Sequence, residues 1–172
     1  MLRLAKEKDI YKILEIYNDI IDYEKNNIIY TGWEKDEYPN LSTIKNAIIN
    51  NEMYVYEDDV IYGSVILNSK MPKEYNNIKW KVQASQKEVL IIHTLSIDPK
   101  FKNQGLGKDM IQLILDFAKT NNYKSIRLET SENNVPAYRL YEKMGFEYIE
   151  KIDIVYGKIV YHNMKCYEIK IQ

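Results

Sequence analysis

Two glycines, Gly105 and Gly107, and two lysines, Lys102 and Lys108, fall within seven residues of DPKFKNQGLGKDMIQLILDFA, residues 98–118. Only six glycines occur in the 172-residue chain, so two at one helix start call for a reason. The first N–H groups of a helix lack partners, its dipole is positive there, and residues without a Cβ let a ligand come close. The chemistry this pattern offers is anion binding. N–H groups from Asn103 through Gln104, Gly105, Leu106 and Gly107 to Lys108 would hold a pyrophosphate, with Lys102 and Lys108 adding charge. Two other anion-binding loops fail. A nucleotide P-loop needs a glycine where Lys102 stands and a serine or threonine where Asp109 stands. A dinucleotide fold would set Glu129 on a ribose, but Met110 occupies the place of its third glycine and too little chain follows.

The elements around this segment follow from hydrophobic periodicity. LRLAKEKD reads as a short strand with Asp9 free to cap a helix, and Ile10, Ile13, Leu14, Tyr17, Ile20 and Ile21 carry that helix to about Tyr23. The stretch from Glu24 to Asn40 is polar and reads as loop or broken helix; a second helix opens at Ser42 or Thr43. MYVYEDDVIYGSVILN is a hairpin turning near Asp58 and Asp59. Residues 69–87 form a long connection that keeps Tyr75 and Trp80. VLIIHTLSID is a continuous apolar strand of the kind found mid-sheet. The glycine-started helix shows one face of Met110, Ile111, Ile114, Leu115 and Ala118. KSIRLET is a further strand, and a last helix starts near Pro136 and stops at Gly145. Two strands joined near Gly157 complete the chain. This order predicts an α/β fold with a mixed sheet, in which the strand–helix–strand crossover supplies a parallel neighbour and the hairpins supply antiparallel ones.

Composition bounds the partners. Lys and Arg total 24 against 25 Asp and Glu, a balance that provides no global basic field for nucleic acid or an anionic membrane. With one cysteine, Cys166, and two histidines, His93 and His162, neither a disulfide nor a multi-cysteine metal site is expected. No apolar run reaches the ~20 residues of a membrane span, and MLRLAKEKDI is not a signal peptide. The expectation is one domain over residues 1–172, cytoplasmic, without metal, nucleic-acid or membrane partners.

A second segment, NNVPAYRLYEKMGFE, joins the first. K-x-x-G-x-G after a strand ending at Pro99, followed by N-x-x-A-x-x-L-Y-x-x-x-G-F from Asn134 to Phe146, resembles the GNAT superfamily of N-acetyltransferases. Lys102 departs from the family's usual Arg or Gln at that position while keeping charge. GWEKDEYP and YNNIKW resemble stretches in a bacterial subgroup of uncharacterised members. The resemblance implies about seven strands with a central splayed parallel pair, flanked by about four helices, and acetyl-CoA as co-substrate. In the family the pantetheine arm pairs with the splayed strand, which here assigns main-chain contacts to Leu95, Ser96 and Ile97, and Asn134 falls near the coenzyme or caps its helix.

The same resemblance implies direct attack by a primary amine. Tyr141 matches the tyrosine that protonates the coenzyme sulfur. A phenol near pKa 10 giving its proton to a thiolate near about 8.5 works uphill by ~2 kcal/mol. His93, two residues before Leu95, is positioned as a general base for an amine that is otherwise ammonium at neutral pH. Glu129, Glu88 or a water chain are the alternatives for that proton. Tyr30, Trp33, Tyr38 and Trp80 are expected against a small-molecule or peptide amine acceptor, and relatives imply a monomer or homodimer. The rival class is a non-catalytic acyl-CoA-binding sensor or scaffold.

Overall fold

The computed structural model describes residues 1–171. Its strands are β1 (Leu2–Leu4), β2 (Met53–Glu57), β3 (Ile61–Asn68), β4 (Val89–Ile97), β5 (Ser125–Ser131), β6 (Glu147–Tyr156) and β7 (Ile159–Lys170). Its helices are α1 (Ile10–Lys25), α2 (Leu41–Ile49), α3 (Leu106–Thr120) and α4 (Val135–Lys143). All seven strands share one sheet in the order β1-β2-β3-β4-β5-β7-β6. Only β4 and β5 are parallel neighbours. The mixed α/β architecture expected from the sequence is therefore the one observed. Two helix boundaries differ by a residue or two: α1 runs on to Lys25, and α2 opens at Leu41, not Ser42 or Thr43, because Asn40 Oδ1 accepts from Thr43 N at 3.1 Å and caps the helix upstream.

Alternation along the strands decides what covers each face. Leu90 and Ile92 of β4, Ile126 and Leu128 of β5, and Tyr167 of β7 point to the face that α3 and α4 cover, against Met110, Ile111, Ile114 and Tyr141. Met53, Val55 and Ile66 point to the opposite face, beneath Ile13 and Tyr17 of α1 and Ile44 of α2. On that second face Val89, Ile91 and Cys166 have no helix above them. Tyr75 and Ile78 of the 69–88 connection fill the place, which is why so long a segment keeps aromatic residues. A buried ion pair fastens it to the sheet. Arg127 Nε meets Glu168 at 2.8 Å, Glu168 also accepts from the N–H groups of Lys81 and Val82, and Arg127 donates to Val82 O.

Two irregularities in β4 open the sheet. Its ladder with β5 runs only from Val89↔Ser125 to Ile91↔Arg127; beyond that the strands separate. On its other side Ile66 faces His93 while Ser64 faces Ser96, so β4 carries one extra residue there, a β-bulge. Thr94 within it has φ +47°, a left-handed conformation that costs a β-branched residue and persists only when neighbours hold it. Tyr17 Oη donates to Thr94 Oγ1 at 3.2 Å from one side. From the other, Ser96 Oγ donates to Ser64 O at 3.2 Å and accepts from Ser64 N at 3.3 Å.

Candidate active site

The opening between β4 and β5 continues into a cleft of about 400 Å³. Its coenzyme-side wall is the arm that follows β4. Asp98, fully buried, fixes that arm by accepting from Lys100 N at 3.0 Å and from Lys12 Nζ of α1 at 3.0 Å. Asn103 at φ +64° and Gly105 at φ +80° then turn the chain into α3. Among the described residues, the N–H groups of Asn103, Gln104, Gly105, Leu106 and Gly107 have no hydrogen-bond partner within the chain. Five free amides at a helix start fit an anionic group.

The two glycines serve different ends. A Cβ at Gly105 would meet nothing within 4 Å, so this position keeps its space open to a ligand; at Gly107 it would lie 3.1 Å from Leu140 Cδ2. Gly107 therefore lets α3 approach α4. Lys102 Nζ donates to Tyr23 Oη at 2.9 Å and lies over that ring at 4.5 Å, so its charge is held across the mouth of the cleft. Lys108 is exposed and does not line the cleft.

Leu95, Ser96, Ile97, Lys102, Asn103, Gln104, Gly105, Leu106, Gly107, Asn134, Tyr141 and His93 all line this one cleft. Asn134 does so while capping α4, its Oδ1 accepting from Ala137 N at 3.4 Å. Tyr141 is buried against Phe146 and Tyr167, and its hydroxyl makes no hydrogen bond within the chain. Burial, and then the Glu129 carboxylate, raise its pKa, so the phenol stays protonated. The gap to a free thiol is thereby wider than ordinary values give, although the dry cleft raises a leaving thiolate in the same direction.

His93 is fixed through Asn68. Asn68 Nδ2 donates to Glu52 Oε2 at 3.1 Å, and its Oδ1 accepts from Lys70 N at 2.9 Å; the amide orientation is thus set. The same Oδ1 lies 3.2 Å from His93 Nε2, which must then donate, leaving the lone pair on Nδ1. Burial lowers the His93 pKa to about 4. Between this value and the ordinary 6.5 the unfolded chain binds the extra proton. Stability complete above pH ~6.5 is therefore lost as pH falls toward about 4, by about 3 kcal/mol in all. His93→Gln should abolish that component, measured as the difference in urea midpoint between pH ~7 and ~4.5; an unchanged difference would refute the assignment.

The acceptor side is aromatic. Tyr30, Trp33 and Tyr38 line the cleft, with Trp33 edge-on to Tyr17 and Tyr38 stacked on Tyr156 at 4.9 Å. Trp80 does not line it. The Arg127 guanidinium lies 4.5 Å from its ring, and its indole N–H donates to Tyr75 O at 3.2 Å, which makes Trp80 part of the strap over the sheet. Sequence reasoning missed Tyr156 and Tyr161, which reach the cleft because β7 inserts between β5 and β6. It named Glu129 only as an alternative base. Glu129 is hydrogen-bonded by the hydroxyls of Tyr75 and Tyr156, and burial raises its pKa.

The sheet is thus split between two parallel strands, with free amides at one end of the split and, among the described residues, an unbonded phenol inside it. Comparison with known proteins gives the class. The model of the acetyltransferase (GNAT) family matches residues 9–146, and the chain belongs to that family. Streptothricin acetyltransferase from Escherichia coli is 33% identical over 90 residues, 52% of this chain and 48% of that protein. The chain thus matches less than half the length of the first curated relatives. A GNAT-family acetyltransferase structure from Streptococcus agalactiae superposes with a TM-score of 0.80 at 23% identity, covering 100% of this chain and 95% of that one. A Salmonella typhimurium structure described with its cofactor acetyl-CoA gives a TM-score of 0.68 at 16% identity, covering 100% and 94%. At these identities the structural likeness bears on the fold.

Proposed function

We propose that the protein is an N-acetyltransferase that moves an acetyl group from acetyl-CoA to a primary amine by direct attack. The observation that carries this reading is the set of unpartnered amides from Asn103 to Gly107 on the same cleft as the unbonded hydroxyl of Tyr141. The acetyl-CoA named for the Salmonella typhimurium neighbour supports the choice of coenzyme. When bound, the coenzyme supplies the acetyl carbon and a thiolate as leaving group. The free amides and the Lys102 ammonium bind its diphosphate. The main chain of Leu95, Ser96 and Ile97, unpaired on the β5 side, binds the pantetheine arm and donates an N–H to the carbonyl oxygen as it becomes an oxyanion, an interaction worth about 3 kcal/mol in a dry site. Tyr141 gives its proton to the departing sulfur as the C–S bond breaks.

In this reading the amine's proton goes to His93 Nδ1 as the C–N bond forms. Neutral His93, a base whose conjugate acid has a pKa of about 4, cannot deprotonate a free alkylammonium of pKa about 10, an uphill step of about 8 kcal/mol. His93 would instead act on the attacking nitrogen, whose acidity rises on bonding to carbon. One observation favours a second base: Glu129, also on the cleft, is a stronger acceptor because burial raises its pKa. A pH–rate profile separates them. If His93 is the base, His93→Ala loses the acidic limb of the profile; a retained limb removes His93 as the base, and loss of that limb in Glu129→Gln would then assign the proton to Glu129.

Calorimetry with acetyl-CoA and thiol release against a panel of amines tests the whole reading. Binding at micromolar affinity with amine-dependent thiol release is expected. Binding without release for any amine would leave the sensor class, and absence of binding would sink the reading.

A further inference from the structure

Glu129 sits on the floor of the cleft with two phenol donors and no cation. The nearest base on its own strand, Arg127, is committed to Glu168 and lies under Trp80. A buried carboxyl served only by neutral donors is incompletely compensated, and a positive charge placed beside it would complete the arrangement.

The other charges on the cleft are already engaged. Asp98 holds Lys12, Glu24 accepts from the N–H and hydroxyl of Thr31 at 3.1 and 2.8 Å, and Lys102 rests on Tyr23. Among the described residues no arginine lines the cleft and Lys102 is its one lysine; Lys70, paired with Glu52, and Lys73 stand on the more open pocket that adjoins it at His93, Tyr38 and Tyr156. A carboxylate or phosphate placed beside Glu129 would thus meet a like charge. Aromatic rings complete the surroundings. Tyr156, whose hydroxyl donates to Glu129, is stacked on Tyr38, and both rings line the cleft. Tyr161 closes the group from behind, edge-on to the pair at 6.3 and 6.1 Å. Aromatic rings beside a carboxyl suit a cation.

We propose that the acceptor is a cationic amine bearing no carboxylate or phosphate, seated with its ammonium toward Glu129 beside Tyr38 and Tyr156. This rests on the acetyltransferase reading and narrows its substrate from amines in general to amines outside the amino acids.

Matched pairs differing only by a carboxylate provide the test: cadaverine against lysine, agmatine against arginine, tyramine against tyrosine. With saturating acetyl-CoA, kcat/KM from thiol release should be at least tenfold higher for the decarboxylated member of the preferred pair. Equal or better use of the amino acid would overturn the proposal. So would a protein that binds acetyl-CoA yet neither acetylates nor binds any decarboxylated member by calorimetry. A protein that does not bind acetyl-CoA fails the underlying reading instead.

One variant localises the effect. Glu129→Gln, which keeps the shape, accepts from one phenol through its carbonyl oxygen and donates to the other through its NH2, should raise the KM of the decarboxylated acceptor at least tenfold and erase the preference within the pair; an unchanged KM and preference would overturn the placement beside Glu129.

Discussion

Tyr141→Phe should lower kcat by about 100-fold and leave acetyl-CoA affinity within twofold of wild type. The ring of Tyr141 is buried in the core formed with α3 and α4 and packs on Phe146 and Tyr167 at centroid distances of 5.7 and 6.3 Å. Phenylalanine keeps those contacts, so the melting temperature should hardly move. What disappears is one O–H that nothing in the chain accepts, and a positioned acid is worth about 10²–10⁴ in rate. The loss falls on the step in which the C–S bond breaks. An acyl donor whose thiol has a lower pKa needs that proton less, and the deficit of the variant should shrink with it. Stopped-flow thiol release with a series of acyl thioesters measures both. Unaltered turnover with acetyl-CoA, or a deficit independent of the thiol's pKa, would remove Tyr141 as the acid.

What could be read from the chain and what could not divide along physical lines. Periodicity located the elements because burial on one side of a helix or strand leaves a trace at every turn. The five apolar residues expected on the face of α3 are the five that α3 buries. The amide cradle was legible because its requirements are local: glycine, lysine and a helix start within a few residues. The acceptor side is assembled from residues far apart in the chain, and no local pattern records it. Tyr156 acquires its place beside Glu129, and Tyr161 its place on the cleft, through the insertion of β7 between β5 and β6. Trp80 was misassigned because a ring that stacks on an arginine and one that lines a pocket look alike in sequence. The bulge is a further case. Threonine at φ +47° contradicts its own local preference, so the sequence argues against the conformation that opens the sheet. Gly107 shows the reverse, a glycine whose ligand-facing reading was reasonable and whose neighbour is Leu140.

The bulge itself makes the largest demand on a residue that sequence reasoning passed over. Gly63→Ala should destabilise the protein by about 3 kcal/mol and weaken acetyl-CoA binding at least tenfold. Gly63 pairs with Ile97 across β3 and β4. A Cβ there would lie 2.1 Å from Ser96 O, 3.0 Å from Ile97 Cδ1 and 3.1 Å from Ser96 C. A side chain could swing away, but a backbone carbonyl cannot. Ser96 is also tied to Ser64 by its hydroxyl, so the clash has to be relieved by parting β3 from β4 or by straightening the bulge. Overpacking of this kind typically costs 1–3 kcal/mol, and lost ladder hydrogen bonds add to it. Either relief moves Leu95–Ile97, the segment proposed to hold the pantetheine arm. Gly105→Ala is the control for stability alone, because open space surrounds it in the free protein and only the left-handed backbone penalty of roughly 1–2 kcal/mol applies there, whereas its Cβ would enter the space kept for the coenzyme. Urea denaturation of both variants and coenzyme titration of Gly63→Ala measure the two effects. If Gly63→Ala proved no more costly than Gly105→Ala, the close approach of β3 to the Ser96 carbonyl, and with it the account of how the sheet is held open, would be wrong.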